Sequence, residues 1–539
     1  MRFYKLFAAI VVILFFITSC QDSKKENKVT KPVKIAVDTA IKGIFTAESG
    51  IKFDSTEISK FLNAYPQFKE FSKDFFDFYR QRKFSYAWFD KSGMIEQTNV
   101  LWNGLEELNS KGQPINIPYK EKLDTLLHPA ELSDKTPVIV KANPEMELML
   151  TAQYFNYAKN IWGGWSDAQT DKIEWYLPTK KLPYSNLLEQ LLSGRSVEDL
   201  EKTAFHRQYL GMRDALKQYT ELEKKETAIK IPLLSKPAVA KPGDSAVSIK
   251  LIKTKLSFWG LLSDTSGGKI YTTGMIAAVN RFKKTHNLKP DSIITNTMIE
   301  ELNVPVKKRI EQIMVNMERF SWVPPTFKAD EFIVVNIPEF VLHYFENSKE
   351  VWSCNVVVGK PLTKTVVFSG NMKYVVMSPY WNVPPSIIKS EIKPGMARNP
   401  NYLAKHNMEW NGGNVRQKPG PSNSLGLVKF LFPNSNNIYL HDSPAKSLFG
   451  QNERAFSHGC VRVAKPRDLA IRVLKQDSTW TPEKIDAAMH AGVEKTVVLK
   501  KEIPVYIGYF TAFFDKDGDL VFCKDVYDRD SRLLSMITK

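Results

Sequence analysis

Apolar residues recur at helical spacing from Ser55 to about Lys224 and at strand spacing from Phe332 onward, so the chain changes character along its length. Phe71, Phe75 and Phe78 fall on one helical face with Tyr79 beside them, and Leu148, Ala152, Phe155 and Ala158 repeat the pattern. The aromatic run Phe84-Ser85-Tyr86-Ala87-Trp88-Phe89 reads as core rather than as a glycan-stacking face, because aromatics among helices usually bury their area. Pro232, Pro237, Pro242 and Gly243 then break both helix and strand, which predicts a linker over 229–247. Residues 248–305 form a compact helical module, with Ile249, Ile252 and Leu256 on one face and Met275, Ala278, Val279 and Phe282 on another. Thr295 is placed to cap a last short helix holding Met298, Ile299 and Leu302. A connecting helix over 306–330 follows, with Ile310, Ile313 and Met317 on one side.

From there the pattern is mostly β. Residues 332–336, 341–345, 351–358 and 365–368 alternate like strands, with a hairpin turn at Asn347-Ser348. Between Ser378 and Trp410 the alternation lapses around Pro384, Pro385, Pro394 and Pro400, which marks a long ordered excursion such as a lid. His406 within it reads as a surface residue. After residue 460, helices are expected at 467–473 and 482–491 and strands at 495–498 and 505–514. Asp515-Lys516-Asp517-Gly518-Asp519 lacks the glycine at position six and the glutamate at position twelve of an EF-hand loop, so it reads as a hairpin turn.

A chain of 539 residues, 43% hydrophobic, is long enough for about three domains, and the elements predict a multidomain α+β fold. The net charge of +17 suggests an anionic neighbour, but the basic residues are dispersed and do not interleave with stacking aromatics, so a wall polymer or lipid surface fits better than nucleic acid. Arg2 and Lys5 precede the apolar run Leu6 to Ile17, too short for an ordinary spanning helix and suited to an export signal. Thr18-Ser19-Cys20 resembles a lipoprotein box, which makes 1–20 a leader, Cys20 the lipidation site and 21–54 a polar tether. Cys354 and Cys523 either pair or stay reduced; the strand-like run around Cys354 favours a packed free thiol.

The candidate chemistry lies between Ile438 and Val463. Tyr439, Leu440 and His441 end one strand-like run, and Ser457-His458-Gly459-Cys460 leads into another containing Val461, Arg462 and Val463. Two strand ends can therefore present His441 to Cys460. A nucleophilic thiol needs a neighbouring base or positive charge; His441 supplies the first and Arg462 the second. Gly459 permits a tight turn, and the amides around Gly459 and Cys460 are candidates for an oxyanion site. On the residues alone, a packed thiol and a zinc site built from His441, His458 and Cys460 remain the alternatives, the latter disfavoured by its spacing and by the lack of a fourth ligand.

The arrangement of His441, an intervening loop and Ser457-His458-Gly459-Cys460-Val461-Arg462 resembles the signature of the L,D-transpeptidases, whose YkuD-type domain remodels peptidoglycan. Lys418-Pro419-Gly420-Pro421-Ser422-Asn423-Ser424-Leu425-Gly426 is similar to the family's P-G-x-x-N-x-L-G segment. Asn316-Met317-Glu318-Arg319-Phe320-Ser321-Trp322 and Val335-Asn336-Ile337-Pro338-Glu339-Phe340 resemble the large YcbB-like branch. The resemblance implies a helical scaffold over 55–228, a peptidoglycan-binding-like module over 248–305, a catalytic domain over 331–503 with a capping insertion at 378–416, and a β extension over 504–539. It implies Cys460 as nucleophile and His441 as general base, supported by Ser457, His458, Gly459 and Arg462. Tyr439, Asn423, Gly426 and Trp381 are then expected to meet the substrate. The implied reaction joins peptidoglycan stem peptides through a 3→3 cross-link without metal or cofactor, in a lipid-anchored protein facing the periplasm of a Gram-negative bacterium.

Overall fold

The computed structural model describes residues 50–110, 117–127 and 141–538; the expected leader, Cys20 and most of the tether lie outside the described residues. Among the described residues no helix is long and apolar enough to cross a membrane.

The first part is helical, as its spacing predicts. Phe75, Phe78 and Tyr79 point inward from the helix Ser72–Gln81 and pack on the long helix Pro144–Trp162. Asn143 caps that helix by accepting from the Met146 amide at 2.8 Å, and Pro144 occupies its first turn, where no intrahelical N–H partner is needed. The run Tyr86 to Phe89 is buried, so its aromatics are core. Glu147 is wholly buried beneath them. Its carboxylate accepts from the Ala87 and Trp88 amides at 2.6 and 3.0 Å and from the Tyr79 hydroxyl at 2.7 Å, which ties a helix-poor turn to the helix below it.

The segment expected as a linker is part of the next module instead. Ile231 and Ala240 are buried in that module's own core, Val239–Ala240 pairs with Ile294–Thr295, and the Ile231 amide donates to Asn303 at 2.8 Å. The prolines broke regular structure without making the segment free, because an edge strand and side-chain caps satisfy its backbone. Thr295 caps the helix Asn296–Leu302, accepting from the Met298 amide at 3.2 Å.

The C-terminal part is built on a ten-stranded sheet. Eight of its strands close on themselves in the order Val428–Leu431, Leu440–His441, Val461–Val463, Lys349–Gly359, Val341–Glu346, Glu331–Asn336, Lys495–Gly508 and Val367–Met377, the last pairing again with Val428–Leu431. The boundary expected between 503 and 504 falls inside Lys495–Gly508. This strand continues through a register shift between Val498 and Ile503 and pairs in parallel with Glu331–Asn336, so the C-terminal extension begins as an integral strand. The helical scaffold is joined to this sheet: Trp175–Tyr176 adds a parallel strand beside Val367–Met377, and Trp322 at the end of the helix Val306–Trp322 meets Trp165 and Trp175 at ring separations of 5.3 and 5.2 Å.

The excursion after Ser378 has strands of its own. Trp381–Asn382, Asn414–Gln417 and Met408–Asn411 form a small antiparallel sheet over a separate core of Val383, Ile387, Ile388, Ile392 and Val415. Its strands are two to four residues long, too short for an alternation pattern to be read. Asp515 to Asp519 is a hairpin turn between Ala512–Phe514 and Leu520–Phe522, and its three carboxylates surround Lys284 of the helical module at 3.0, 2.8 and 3.1 Å. Cys354 and Cys523 are free, buried thiols.

Candidate active site

Leu440 and Val461 pair in parallel and are fully buried on the inner face of the closed sheet. Because side chains alternate along a strand, Tyr439, His441, Cys460 and Arg462 share the outer face. His441 stands directly beside Arg462 in register. Cys460, two positions earlier on that face, lies diagonally from it, about 8 Å between Cα atoms from ordinary strand spacings. Apolar burial one residue to either side thus sets which way the reactive groups point.

His441 is buried, and its Nδ1 donates to the Asp442 carbonyl at 2.5 Å, which leaves Nε2 as the ring's lone-pair nitrogen. Burial and the Arg462 cation push the ring's pKa down to about 3, against the carbonyls of Asp442 and Leu425, so the imidazole is neutral at physiological pH. Burial raises the Cys460 thiol above its ordinary value; the Tyr439 amide and hydroxyl and the Arg462 guanidinium favour the thiolate but do not outweigh it. The sulfhydryl donates to the Asn437 carbonyl at 3.7 Å, and among the described residues no hydrogen bond joins Sγ to His441. The resting pair is therefore a neutral thiol and a neutral imidazole on one face, with no hydrogen bond between them among the described residues. Burial and the nearby sulfur raise the Tyr439 hydroxyl, keeping it protonated.

The loop before the nucleophile is held from several directions. Ser457 is buried; its Oγ accepts from the Gly459 amide at 3.1 Å and donates to the Cys460 carbonyl at 2.6 Å. The Gly459 N–H is thus engaged within the loop and is not an oxyanion donor, whereas the Cys460 N–H has no hydrogen-bond partner among the described residues. Gly459 has φ +120°, and the space a Cβ would enter is nearly open, so glycine is required there by backbone conformation and not by crowding. Thr365 donates to the Gly459 carbonyl at 2.8 Å, Thr363 to the Ser457 carbonyl at 3.0 Å, and Tyr527 fixes the neighbouring strand end by donating to the Gly359 carbonyl at 2.7 Å. Sequence reasoning missed these three. They lie in no motif, and nothing short of the fold links positions so far apart.

The remaining expected residues take different places. His458 is half exposed and turns Nε2 toward Glu391 of the capping insertion at 3.2 Å. Arg462 pairs with no carboxylate among the described residues, and its buried Nε has no partner. Asn423 is fully buried: its amide donates to the carbonyls of Pro379 and Lys418 at 3.0 and 2.9 Å, and its oxygen accepts from the Leu425 amide at 2.8 Å. It joins the two ends of the capping insertion and offers no surface to a substrate. Gly426 has φ +62°, and a Cβ there would stand 2.3 Å from the Asp442 carboxylate, which accepts from the Leu427 amide at 2.9 Å; it too shapes the loop beside His441. Trp381 is half-buried on the small core of the capping insertion. His441 and His458 turn to different partners, and among the described residues no three His, Cys, Asp or Glu side chains converge on a metal position.

Residues 330–499 match the model of the YkuD L,D-transpeptidase catalytic domain, and residues 73–216 match a Scaffold domain model. A Haemophilus influenzae protein that bears the name Putative L,D-transpeptidase is 31% identical over 244 residues, which are 41% of this chain and 49% of that protein; the chain thus matches about half the length of this curated relative. Among solved structures, an L,D-transpeptidase from Mycobacterium smegmatis is 12% identical over 33% of this chain and 59% of its own, with a TM-score of 0.20. One from Stackebrandtia nassauensis is 13% identical over 50% and 95%, with a TM-score of 0.22. These TM-scores are too low for the superpositions to bear on the site. The chain carries a YkuD L,D-transpeptidase catalytic domain and a scaffold domain.

Proposed function

We propose that this chain, through its YkuD domain, acts as a peptidoglycan L,D-transpeptidase that forms 3→3 cross-links by way of a thioester on Cys460. One observation carries the reading: a thiol, a neutral imidazole with Nε2 available, a phenol and an unpaired guanidinium project from two adjacent parallel strands onto one sheet face. In the first step Cys460 leaves the Asn437 carbonyl by rotation about its χ1 bond, gives its proton to His441 Nε2, and attacks the carbonyl of the third residue of a tetrapeptide stem. The Cys460 N–H is available to the oxyanion, and the proton on His441 passes to the departing D-alanine amine. In the second step His441 takes a proton from an acceptor amine as that nitrogen attacks the thioester, and the proton returns to sulfur. One amide bond is broken and one is made.

Arg462, the cation without a carboxylate partner beside the nucleophile, suits a carboxylate of the stem. The export signal and Cys20, with the +17 net charge, support a lipoprotein that is anchored by its N-terminus and faces the periplasm of a Gram-negative bacterium.

The test is muropeptide analysis after incubation of the purified chain with sacculi. New 3→3 dimers are expected. Loss of D-alanine without dimers would make it a hydrolase, and co-sedimentation with no covalent change would make it a binding protein only. Intact-mass measurement with a stem peptide or a carbapenem should show one adduct on the wild-type chain and none on Cys460→Ala.

A further inference from the structure

A second concavity, apart from the Cys460 site, runs along the outer face of the same sheet. It encloses about 1340 Å³ between the scaffold, the segment following the helix Val306–Trp322, and the strands Glu331–Asn336, Val341–Glu346 and Lys495–Gly508. That is larger than the usual small-ligand pocket of about 300–1,000 Å³ and suits an extended polymer better than a single small molecule.

Its floor is a row of rings. Tyr506, Phe327, Phe332 and Phe345 follow one another at centroid separations of 5.1, 4.7 and 4.8 Å, and all except Phe332 are only half-buried. Tyr506, Phe332 and Phe345 stand on three neighbouring strands, so the row spans about 10 Å. Half-buried rings in a row are suited to stacking against the apolar faces of sugars.

The rim supplies charge. Lys328, Lys349 and Lys465 are exposed and form no ion pair among the described residues, while the two carboxylates nearest the floor, Glu339 and Glu350, flank His343 at 2.9 and 3.1 Å. The unsatisfied charge of the cleft is therefore positive and fits a ligand that carries carboxylates.

The cleft also lies on the same sheet face as the reaction site. Ala464, at one end of it, still pairs with Lys349–Gly359 through its amide to the Asn355 carbonyl at 3.0 Å, and by strand alternation it shares the outer face with Arg462 and Cys460. Ala464 lies four residue steps along an extended strand from Cys460, about 13 Å. Three extended residues of a stem peptide span about 10 Å, so a stem attached to a polymer in the cleft can lay its third residue near the sulfur.

We infer that this aromatic-floored, lysine-rimmed cleft between the scaffold and the sheet binds a peptidoglycan glycan strand, holding a stem-bearing sugar at reach of Cys460. The inference rests on the transpeptidase reading for its choice of polymer.

Its test uses the full chain. Binding of soluble, uncross-linked glycan chains bearing tetrapeptide stems is measured on Cys460→Ala protein, with and without Lys349→Glu plus Lys465→Glu, and separately with Phe345→Ser. Acylation of Cys460 by isolated tetrapeptide is followed by intact mass on the corresponding chains that keep the cysteine, and thermal melting checks the fold. The charge reversal is expected to weaken glycan-chain binding at least tenfold, with a much smaller change in acylation by isolated tetrapeptide, and Phe345→Ser is expected to act in the same direction. Wild-type glycan affinity in the charge-reversed chain would overturn the inference, as would an equal loss on isolated tetrapeptide. Failure of wild-type Cys460 to be acylated by any stem rejects the transpeptidase reading instead, and the binding comparison still decides the cleft.

Discussion

The protonation states of the site predict how Cys460 should respond to pH. A thiol–imidazole pair that rests as thiolate and imidazolium reacts with an alkylating agent at a rate that levels off between the two pKa values, near neutral pH. Here burial raises the thiol above its ordinary value and pushes His441 down to about 3. Near neutral pH a thiol of that kind is almost wholly protonated, and at pH 5 an imidazole of that kind is only about 1% protonated, where an ordinary one is almost wholly so. Alkylation of Cys460 by iodoacetamide should therefore rise about tenfold per pH unit from pH 6 to 8, with no plateau in that range. His441→Gln should leave that slope in place, because the imidazole carries no charge that assists the resting thiolate. Arg462→Gln should lower the rate at each pH, because the guanidinium is the cation that favours the thiolate. The measurement is intact-mass quantification of the Cys460 adduct under pseudo-first-order conditions, corrected for Cys354 and Cys523 with Cys460→Ala. A plateau between pH 6 and 8 that His441→Gln abolishes would refute the neutral-pair assignment and show an ion pair at rest.

Other consequences can be checked more briefly. Arg462→Ala should reduce kcat/KM for a stem peptide by about 10- to 100-fold, the loss of one charge-assisted hydrogen bond of about 1.5–3 kcal/mol, mostly through KM. Gly459→Ala and Gly426→Ala should separate two kinds of damage. The former meets open space and forces only the backbone, at about 1–3 kcal/mol, so acylation falls and melting drops by a few degrees; the latter also collides with the Asp442 carboxylate and should lower the melting temperature further. Glu147→Ala leaves the Ala87 and Trp88 amides and the Tyr79 hydroxyl without their acceptor, and should destabilise the scaffold by about 3 kcal/mol or more in thermal unfolding. Burial raises Glu147 to about 7, above its ordinary 4.5. Its contribution to stability is thus fully present below pH 4.5 and is lost as pH rises through 7, and Glu147→Gln should flatten that part of the stability–pH profile.

Much of this was legible in the sequence, for reasons that differ along the chain. Amphipathic helices such as Ser72–Gln81 announce themselves because one face must be apolar. The loop from Ser457 to Cys460 was legible through its resemblance to a family signature; on the residues alone a packed thiol and a zinc site stayed open. The short strands of the capping insertion and the edge strand Val239–Ala240 were not, since two to four residues cannot establish a period. Nor could spacing show that Asn423 is an internal brace. An asparagine that caps backbone carbonyls and one that meets a ligand use the same amide, and only its complete burial tells them apart.

The fold also explains how reactive groups can be exposed to substrate while held in place. Leu440 and Val461 give their strand pair a buried inner face, so the outer face can carry a thiol and an imidazole that contribute little to folding. The loop between those strands is anchored by the buried Phe449 and Arg454 and by the pairing of Ala455–Ser457 with Lys349–Gly359. Its last turn is further restrained by hydroxyls from Thr363, Thr365 and, through Gly359, Tyr527, the last belonging to a strand-and-helix segment beyond residue 504. Tyr527→Phe removes the bond to the Gly359 carbonyl and the acceptor of the Thr365 amide without emptying volume. Acylation of Cys460 should then slow severalfold while the melting temperature falls by several degrees, about 1 kcal/mol for each of the two hydrogen bonds. Unchanged acylation in that variant would mean that the nucleophile loop keeps its position without Tyr527.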